Sequence, residues 1–84
     1  MNDCLITFRS VTPAQRGEGV LRRNGLYCAL SRTPKWMQEQ GCGYSLRIRH
    51  VQAERCVALL RTEGVPFRKL YLLRENGKAE ELEL

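Results

Sequence analysis

The sequence contains one histidine and no closely spaced pair of cysteines, and these two absences exclude several kinds of chemistry. The cysteines Cys4, Cys28, Cys42 and Cys56 are separated by 14 residues or more, so the C-x-x-C spacing of thioredoxin-type dithiols and zinc knuckles does not occur. His50 is the only histidine, and in the topology predicted below it lies at the opposite end of the sheet from Cys42, which disfavours a Cys-His pair and hydrolytic catalysis. We therefore predict no metal site and no cofactor, and a carrier or binding protein in preference to an enzyme.

Long apolar runs and phosphate-binding loops are also missing. No run approaches the roughly 20 apolar residues that span a bilayer, and no glycine-rich loop has a recognised phosphate-binding form. The first residues, "MNDCLITFRS", place an acid and no basic residue before a short apolar stretch, unlike a signal peptide. We therefore expect a cytoplasmic protein with free thiols and no membrane partner.

What the sequence does contain is an ordinary globular composition with an uneven charge. The 84 residues are 43% hydrophobic and 27% charged, which fits one small domain with one core. Residues 1–73 hold 12 basic against 5 acidic side chains, a net +7, whereas residues 74–84 hold 2 against 4, a net −2. We expect a single domain over residues 1–73, an acidic C-terminal tail over 74–84, and an anionic partner for the basic body.

Hydrophobic periodicity predicts the element order β-α-β-β-α-β. The predicted strands are "CLITFR", "LYCALSR", "YSLRIRH" and "VPFRKLYLL", and the predicted helices are "VTPAQRGEGVLRRNGL" and "VQAERCVALLRTEG". In the first helix we expect Thr12 as the N-cap, Pro13 at the first helical position and Gly25 just past the end. Pro66 favours an edge position for the last strand. The order predicts an α+β, ferredoxin-like fold: a four-stranded antiparallel sheet, order 4-1-3-2, with both helices on one face.

Cys42 is the one cysteine that no helical or strand period explains. It lies between Gly41 and Gly43 in "EQGCGYS", so little side-chain cover is expected on either side. In the predicted topology, the link from the second to the third strand lies at the same end of the sheet as the turn into the first helix. We therefore expect Cys42 close to Ser10 and Thr12.

This position affects the ionisation of the thiol in two opposite ways. The N-terminus of the first helix, together with Arg9 and Lys35, would lower the pKa of Cys42 and favour the reactive thiolate. However, "TPKWMQEQG" could itself form a helical turn capped by Thr33, and Cys42 would then follow a helix C-terminus, whose partial negative charge opposes ionisation. Both alternatives remain open.

The other three cysteines follow apolar patterns. Cys4 alternates with Ile6 and Phe8, Cys28 alternates with leucines in the second strand, and Cys56 lies in the apolar stripe of the second helix. Buried cysteines usually behave as small, inert hydrophobic side chains, and we predict that role for all three.

The segments "FRS", "NGL", "TPK", "CGYSLRI" and "EGVPFRKLY" together resemble a known family. These are the small bacterial domains described as putative selenium/sulfur carrier protein-like, which occur alone or fused behind a small sulfur-carrier domain in proteins tied to selenium metabolism. The likeness covers about residues 3 to 73. The matching positions are Ser10, Thr33, Pro34, Lys35, Cys42, Gly43, Gly64 and Val65.

The resemblance implies a carrier of sulfur or selenium. In the leading hypothesis, the Cys42 thiolate accepts the atom from a donor enzyme such as a cysteine desulfurase and holds it as a persulfide or perselenide. Arg9, Ser10, Thr12 and Lys35 would bind or activate the group, and Gly41 and Gly43 would keep the site uncluttered.

The alternative is a basic binding or dimerising module without chemistry of its own. An acidic protein, a second copy of the chain or single-stranded nucleic acid would be its partner, with Trp36, Met37, Phe67 and Tyr71 as interface candidates. Nucleic acid is the less favoured partner because recognition on such a sheet needs exposed aromatics on the first and third strands. The third strand offers only Tyr44, on the presumed core face, and the first strand offers only Phe8.

Overall fold

A computed structural model of the chain describes residues 2–35, 43–75 and 77–83. Two α-helices and five strands follow one another, with a 3-10 turn at His50–Gln52 before the second helix. Their bounds are β1 Asp3–Phe8, α1 Val11–Arg23, β2 Ala29–Arg32, β3 Tyr44–Arg49, α2 Ala53–Thr62, β4 Leu70–Leu73 and β5 Ala79–Leu82. None of the described helices is both long enough and apolar enough to cross a membrane.

The strands form one antiparallel sheet with the order β2-β3-β1-β4-β5. In the central pair, Phe8 of β1 lies opposite Tyr44 of β3, and Asp3 lies opposite Arg49. The first four strands have the predicted relative order 4-1-3-2. The α+β architecture of two helices and an antiparallel sheet is therefore confirmed.

The prediction of four strands is wrong, because a fifth strand lies within the segment expected to be an acidic tail. β5 pairs with β4, so that Leu73 lies opposite Ala79 and Leu70 lies opposite Leu82. Gly77, with φ of 80°, turns the chain between them. Glutamate disfavours strands, but half-buried Leu82 packs against the core, and Glu80 and Glu81 form ion pairs with Arg74 and Lys69.

The edge position predicted for β4 is also wrong. β4 has β1 on one side and β5 on the other. Pro66 does not interrupt these ladders, since the strand begins four residues later, at Leu70. The proline lies instead in the extended segment that leads from α2 into β4.

Helix α1 begins earlier than its sequence pattern predicts. Ser10 is the N-cap residue, with φ of −149° and ψ of 172°, so the prediction of Thr12 as the cap is wrong. Pro13 is the third helical residue and is tolerated because the N–H groups of the first turn have no partner within a helix. The predicted end is confirmed, since Asn24 is the C-cap and Gly25 follows with φ of 72°.

One face of the sheet, the helix face, is sealed by both helices. A Cβ atom on Gly17 of α1 would lie only 3.2 Å from side-chain atoms of Leu46 and Phe8 and 3.3 Å from Leu60 of α2. Gly17 therefore lies at a close approach of α1, α2 and the sheet. The described core on this face comprises Cys4, Ile6, Phe8, Ala14, Val20, Leu21, Leu26, Cys28, Leu46, Ile48, Ala53, Cys56, Val57, Leu60, Val65, Leu70 and Leu72.

The opposite face of the sheet, the far face, carries a mixture of polar and apolar side chains. Because side chains alternate along a strand, Leu5 and Thr7 of β1 point to this face. Arg47 and Tyr71, the two cross-strand partners of Leu5, share this face. Leu5 is 5% exposed and Thr7 is 1% exposed, so the middle of this face is sheltered although neither helix covers it.

Candidate functional site

The candidate site lies at the upper end of the sheet, defined as the end where β1 and β2 finish and where β3 and β4 begin. Phe8, Arg32 and Tyr44 mark this end through their cross-strand pairing. The turn into α1 and the link between β2 and β3 both lie here. The topology therefore brings together the two segments that carry the predicted site residues.

The link between β2 and β3 is closed at its base by a backbone hydrogen bond. The N–H of Thr33 donates to the carbonyl oxygen of Gly43 across 3.1 Å, and Thr33 is buried. A Cβ atom on Gly43 would meet no other atom within 4 Å, so the described end of this link is not crowded. Cys42 and Gly41, which were predicted to be the centre of the site, lie outside the described residues.

Arg9 and Ser10 form one wall of a cleft at the upper end. The cleft encloses about 290 Å³ and is lined by Arg9, Ser10, Pro13, Pro66, Phe67 and Arg68. The segment before β4 is held beside β1 because the N–H of Arg68 donates to the carbonyl oxygen of Thr7 across 2.7 Å. The guanidinium of Arg61 lies 5.8 Å from the ring centroid of Phe67.

The electrostatic environment of this cleft favours anions. Arg9 and Arg68 contribute two positive charges, and the N-terminus of α1, with its unpaired N–H groups, adds a partial positive charge. Ser10 is exposed, and its side chain makes no capping hydrogen bond to the first turn. The predicted combination of Arg9 and Ser10 is therefore present at one site, and Arg68 adds a second cation.

Thr12 and Lys35 are at the same end of the molecule but do not line the cleft. Thr12 is exposed in the first turn of α1. Lys35 is exposed three residues past the end of β2. Neither is among the described residues that line the cleft, so their predicted roles remain predictions.

A sequence model of the family described as putative Se/S carrier protein-like matches residues 3–72. The chain belongs to this family. Searches among curated proteins and among solved structures each returned no match. The matched range contains all five predicted site positions that the structure describes, namely Arg9, Ser10, Thr12, Lys35 and Gly43.

Three cysteines of this Se/S carrier-like chain are buried in the core, as their apolar patterns predict. Cys4 and Cys56 are 0% exposed and Cys28 is 4% exposed. Burial, with a smaller contribution from Asp3, raises the pKa of Cys4 to about 11. Burial, with smaller contributions from Cys28 and Cys4, also raises the pKa of Cys56 to about 11.

Cys28 is a partial exception because a cation lies beside it. Burial raises the pKa of this thiol, while the guanidinium of Arg22 acts in the opposite direction. Arg22 donates from Nη2 to the carbonyl oxygen of Cys28 across 3.3 Å and forms an ion pair with Glu18 across 3.4 Å. The Sγ of Cys28 lies 3.8 Å from the carbonyl oxygen of Glu18. The net effect still favours the neutral thiol.

His50 lies at the other end of the sheet. It follows Arg49, the last residue of β3, and its N–H donates to the carbonyl oxygen of Asn2 across 3.2 Å. The side chain is exposed. Gly43 precedes the first residue of β3, so the whole strand separates this histidine from the upper end.

Sequence reasoning missed Phe67 and Arg68 as cleft residues. It assigned both to a strand whose side chains would alternate between the faces, whereas the strand begins only at Leu70. Pro66 was the available signal, because a proline at this point is compatible with an extended lead-in segment that makes few ladder hydrogen bonds.

Proposed function

We propose that this chain carries a sulfur or selenium atom on the thiol of Cys42. The observation that carries the proposal is the burial of the other three cysteines, whose thiols are held neutral in the core. The thiolate is the nucleophilic form. Of the four cysteines in the sequence, Cys42 is therefore the candidate for transfer chemistry, and membership of the Se/S carrier-like family supports the same role.

The transfer step needs neither a metal nor an external oxidant. The Cys42 thiolate attacks the outer sulfur of a donor persulfide, R–S–SH, and the bond between the two donor sulfurs breaks. The products are Cys42–S–SH and the donor thiolate R–S⁻, so one thiolate is consumed and one is released. A perselenide donor, R–S–SeH, reacts in the same way through its outer selenium.

The upper end of the sheet supports this chemistry through charge. Arg9, Arg68 and the N-terminus of α1 favour anions there, and a thiolate or persulfide anion is such a group. Gly43, the neighbour of Cys42 in the sequence, lies at the same end and leaves its surroundings uncrowded. A cysteine desulfurase or a similar persulfide-forming enzyme is the proposed donor.

The test is persulfide transfer followed by mass spectrometry of the intact chain and its peptides. The chain is incubated with a cysteine desulfurase and cysteine, and one added sulfur atom is expected on the peptide that contains Cys42. Cys42→Ser should abolish the added mass, whereas the matched variant Cys28→Ala should retain it. Labelling of Cys4, Cys28 or Cys56 that persists in Cys42→Ser would refute the proposal.

The alternative of a nucleic-acid-binding sheet has less support. Phe8 is fully buried on the helix face, and Tyr44, its cross-strand partner, lies on that same face. The far face of β1 and β3 therefore presents neither aromatic side chain for base stacking. Dimerisation through Phe67 and Tyr71 stays a prediction, and Trp36 and Met37 lie outside the described residues.

A further inference from the structure

The far face of the sheet contains a groove of about 280 Å³ that is separate from the cleft at Arg9 and Ser10. We call it the far-face groove. It extends from the end of β2 to the turn between β4 and β5. Its described lining consists of Leu5, Ser31, Arg32, Pro34, Arg47, Leu73, Arg74, Gly77 and Lys78.

The charged side chains of this lining are all of one sign. Four of the nine described lining residues are basic, and none of them is acidic. Arg47 and Arg74 have acidic neighbours among the described residues: Asp3 accepts a hydrogen bond from Nε of Arg47 across 3.0 Å, and Glu80 forms an ion pair with Arg74. The guanidinium of Arg32 lies 5.5 Å from the ring centroid of Tyr44, a residue of the helix face, so Arg32 borders the groove at its edge.

The groove also has an apolar component. Leu5 is 5% exposed, Leu73 and Pro34 are half-buried, and all three line the groove. Pockets for drug-sized ligands occupy roughly 300–1,000 Å³, so this groove suits a smaller molecule. Its ligand would combine an anionic group with a compact apolar part.

Phosphate is the anion that these side chains fit best. A guanidinium presents paired donors that match two phosphate oxygens, and charge-assisted bonds of this kind are stronger than neutral ones. A phosphate monoester carries a charge of about −1.5 to −2 near neutral pH, which suits several cations around one groove better than a single negative charge does.

We propose that the far-face groove binds a small phosphate monoester with an apolar or aromatic substituent. Arg47 and Lys78 contact the phosphate, and Leu5 and Leu73 contact the substituent. This binding is independent of transfer at Cys42. It gives the chain a small-molecule ligand in addition to its proposed protein donor.

The test is a titration of the ¹⁵N-labelled chain with phenyl phosphate, followed by NMR. We expect saturable shifts at the amides of Leu5, Ser31, Arg47 and Gly77, with a dissociation constant of about 1 mM or tighter. Diphenyl phosphate, which carries a single charge and represents the phosphodiesters of nucleic acids, should bind more weakly.

A matched pair of variants separates the groove from net charge. Arg47→Gln should weaken binding about tenfold, because it removes a charge-assisted contact. Arg49→Gln removes the same charge from the same strand and the same face, but Arg49 does not line the groove, so it should leave the affinity unchanged. Lys78→Gln provides a second weakening variant, and an unaltered amide spectrum verifies the fold of each.

Four results would overturn the proposal. These are an absence of shifts up to about 10 mM ligand, equal weakening by Arg47→Gln and Arg49→Gln, shifts confined to Arg9 and Ser10, and tighter binding of diphenyl phosphate than of phenyl phosphate. The third result would assign the anion site to the upper-end cleft. The fourth would indicate a phosphodiester ligand, as in nucleic acid.

Discussion

The two faces of this sheet differ in how far they expose their ionisable side chains to solvent. The helix face is packed with aliphatic side chains, and it holds three thiols whose pKa values are raised by burial. The far face exposes arginines beside apolar side chains and forms a groove with a basic lining. A single sheet thus keeps three thiols neutral on one face and presents basic side chains on the other.

This difference explains where chemistry can occur in so small a domain. An 84-residue chain has one core, and a thiol that contributes to that core is neutral and inaccessible. Groups that must meet a partner therefore belong to the ends of strands or to the far face. The predictions below test that contrast, from the largest expected effect to the smallest.

The faces should differ most in their tolerance of truncation. Leu46→Ala on the helix face removes a side chain that is 0% exposed and should lower the free energy of unfolding by about 2–5 kcal/mol. Leu73→Ala on the half-buried far face should cost about 1 kcal/mol, because less apolar area is lost. Urea unfolding followed by circular dichroism measures both. Equal losses would mean that the far face is packed as tightly as the helix face.

Overpacking of the helix face should also be costly. Gly17→Val introduces atoms 3.2–3.3 Å from Phe8, Leu46 and Leu60 and should destabilise the fold by about 1–3 kcal/mol. The control is Gly19→Ala on the same helix, where the nearest neighbour is the flexible Arg23 side chain at 3.5 Å.

Gly19→Ala should instead stabilise the fold by up to about 1 kcal/mol through helix propensity. Thermal and urea unfolding compare the two variants. A stabilising Gly17→Val would show that the helices can move apart at little cost, contrary to the close approach seen here.

The buried thiols should make the fold sensitive to alkali. Their folded-state pKa values lie above the ordinary value of 9.0 and reach about 11 for Cys4 and Cys56. The unfolded chain therefore releases these protons first, and the stability associated with Cys4 and Cys56 is complete below about pH 9 and lost between about pH 9 and 11.

The expected loss is about 1 kcal/mol for each of Cys4 and Cys56 by pH 10. Urea unfolding over this pH range measures it, and Cys56→Ala should show a shallower decline than the unmodified chain. An identical decline in the variant would indicate that other groups cause the alkaline sensitivity.

The smallest effect is expected for the ion pair between Asp3 and Arg47. The pair is exposed on the far face, with half of the Arg47 side chain accessible to solvent. Exposed pairs contribute about 0–1 kcal/mol. Asp3→Asn should therefore change the free energy of unfolding by less than about 1 kcal/mol, and the difference should shrink in high salt. A larger effect that persists in salt would show that the pair is effectively buried.

Much of the fold follows from sequence patterns that have a local physical cause. Alternation in "CLITF" and "YSLRI", the position of Gly25 after the first helix, and the apolar stripe of α2 all predict what the structure contains. β5 could not be predicted in this way, because glutamate is depleted in strands and the segment from 79 to 83 contains three glutamates. The packing of Leu82 against the core is not visible in that local pattern. Glu80 and Glu81 form ion pairs with Arg74 and Lys69, which flank β4, and a local pattern does not reveal such contacts.

The candidate site was predictable only in part. Element order alone places Arg9 and Ser10 at the same end of the sheet as Gly43, and the structure confirms that placement. The contribution of Arg68 depends on where β4 begins. The far-face groove draws on β1, β2, β3 and the β4–β5 turn, so its side chains meet only through tertiary structure.

The most direct test of the central claim is residue-resolved alkylation of the native chain at neutral pH. Iodoacetamide is added in a time course, and peptides that contain each cysteine are quantified by mass spectrometry, with the unfolded chain as the reference. We expect Cys42 to react rapidly in the native chain, while Cys4, Cys28 and Cys56 react only as the chain unfolds. Rapid native labelling of any of those three, with Cys42 protected, would contradict the assignment of Cys42 as the carrier thiol.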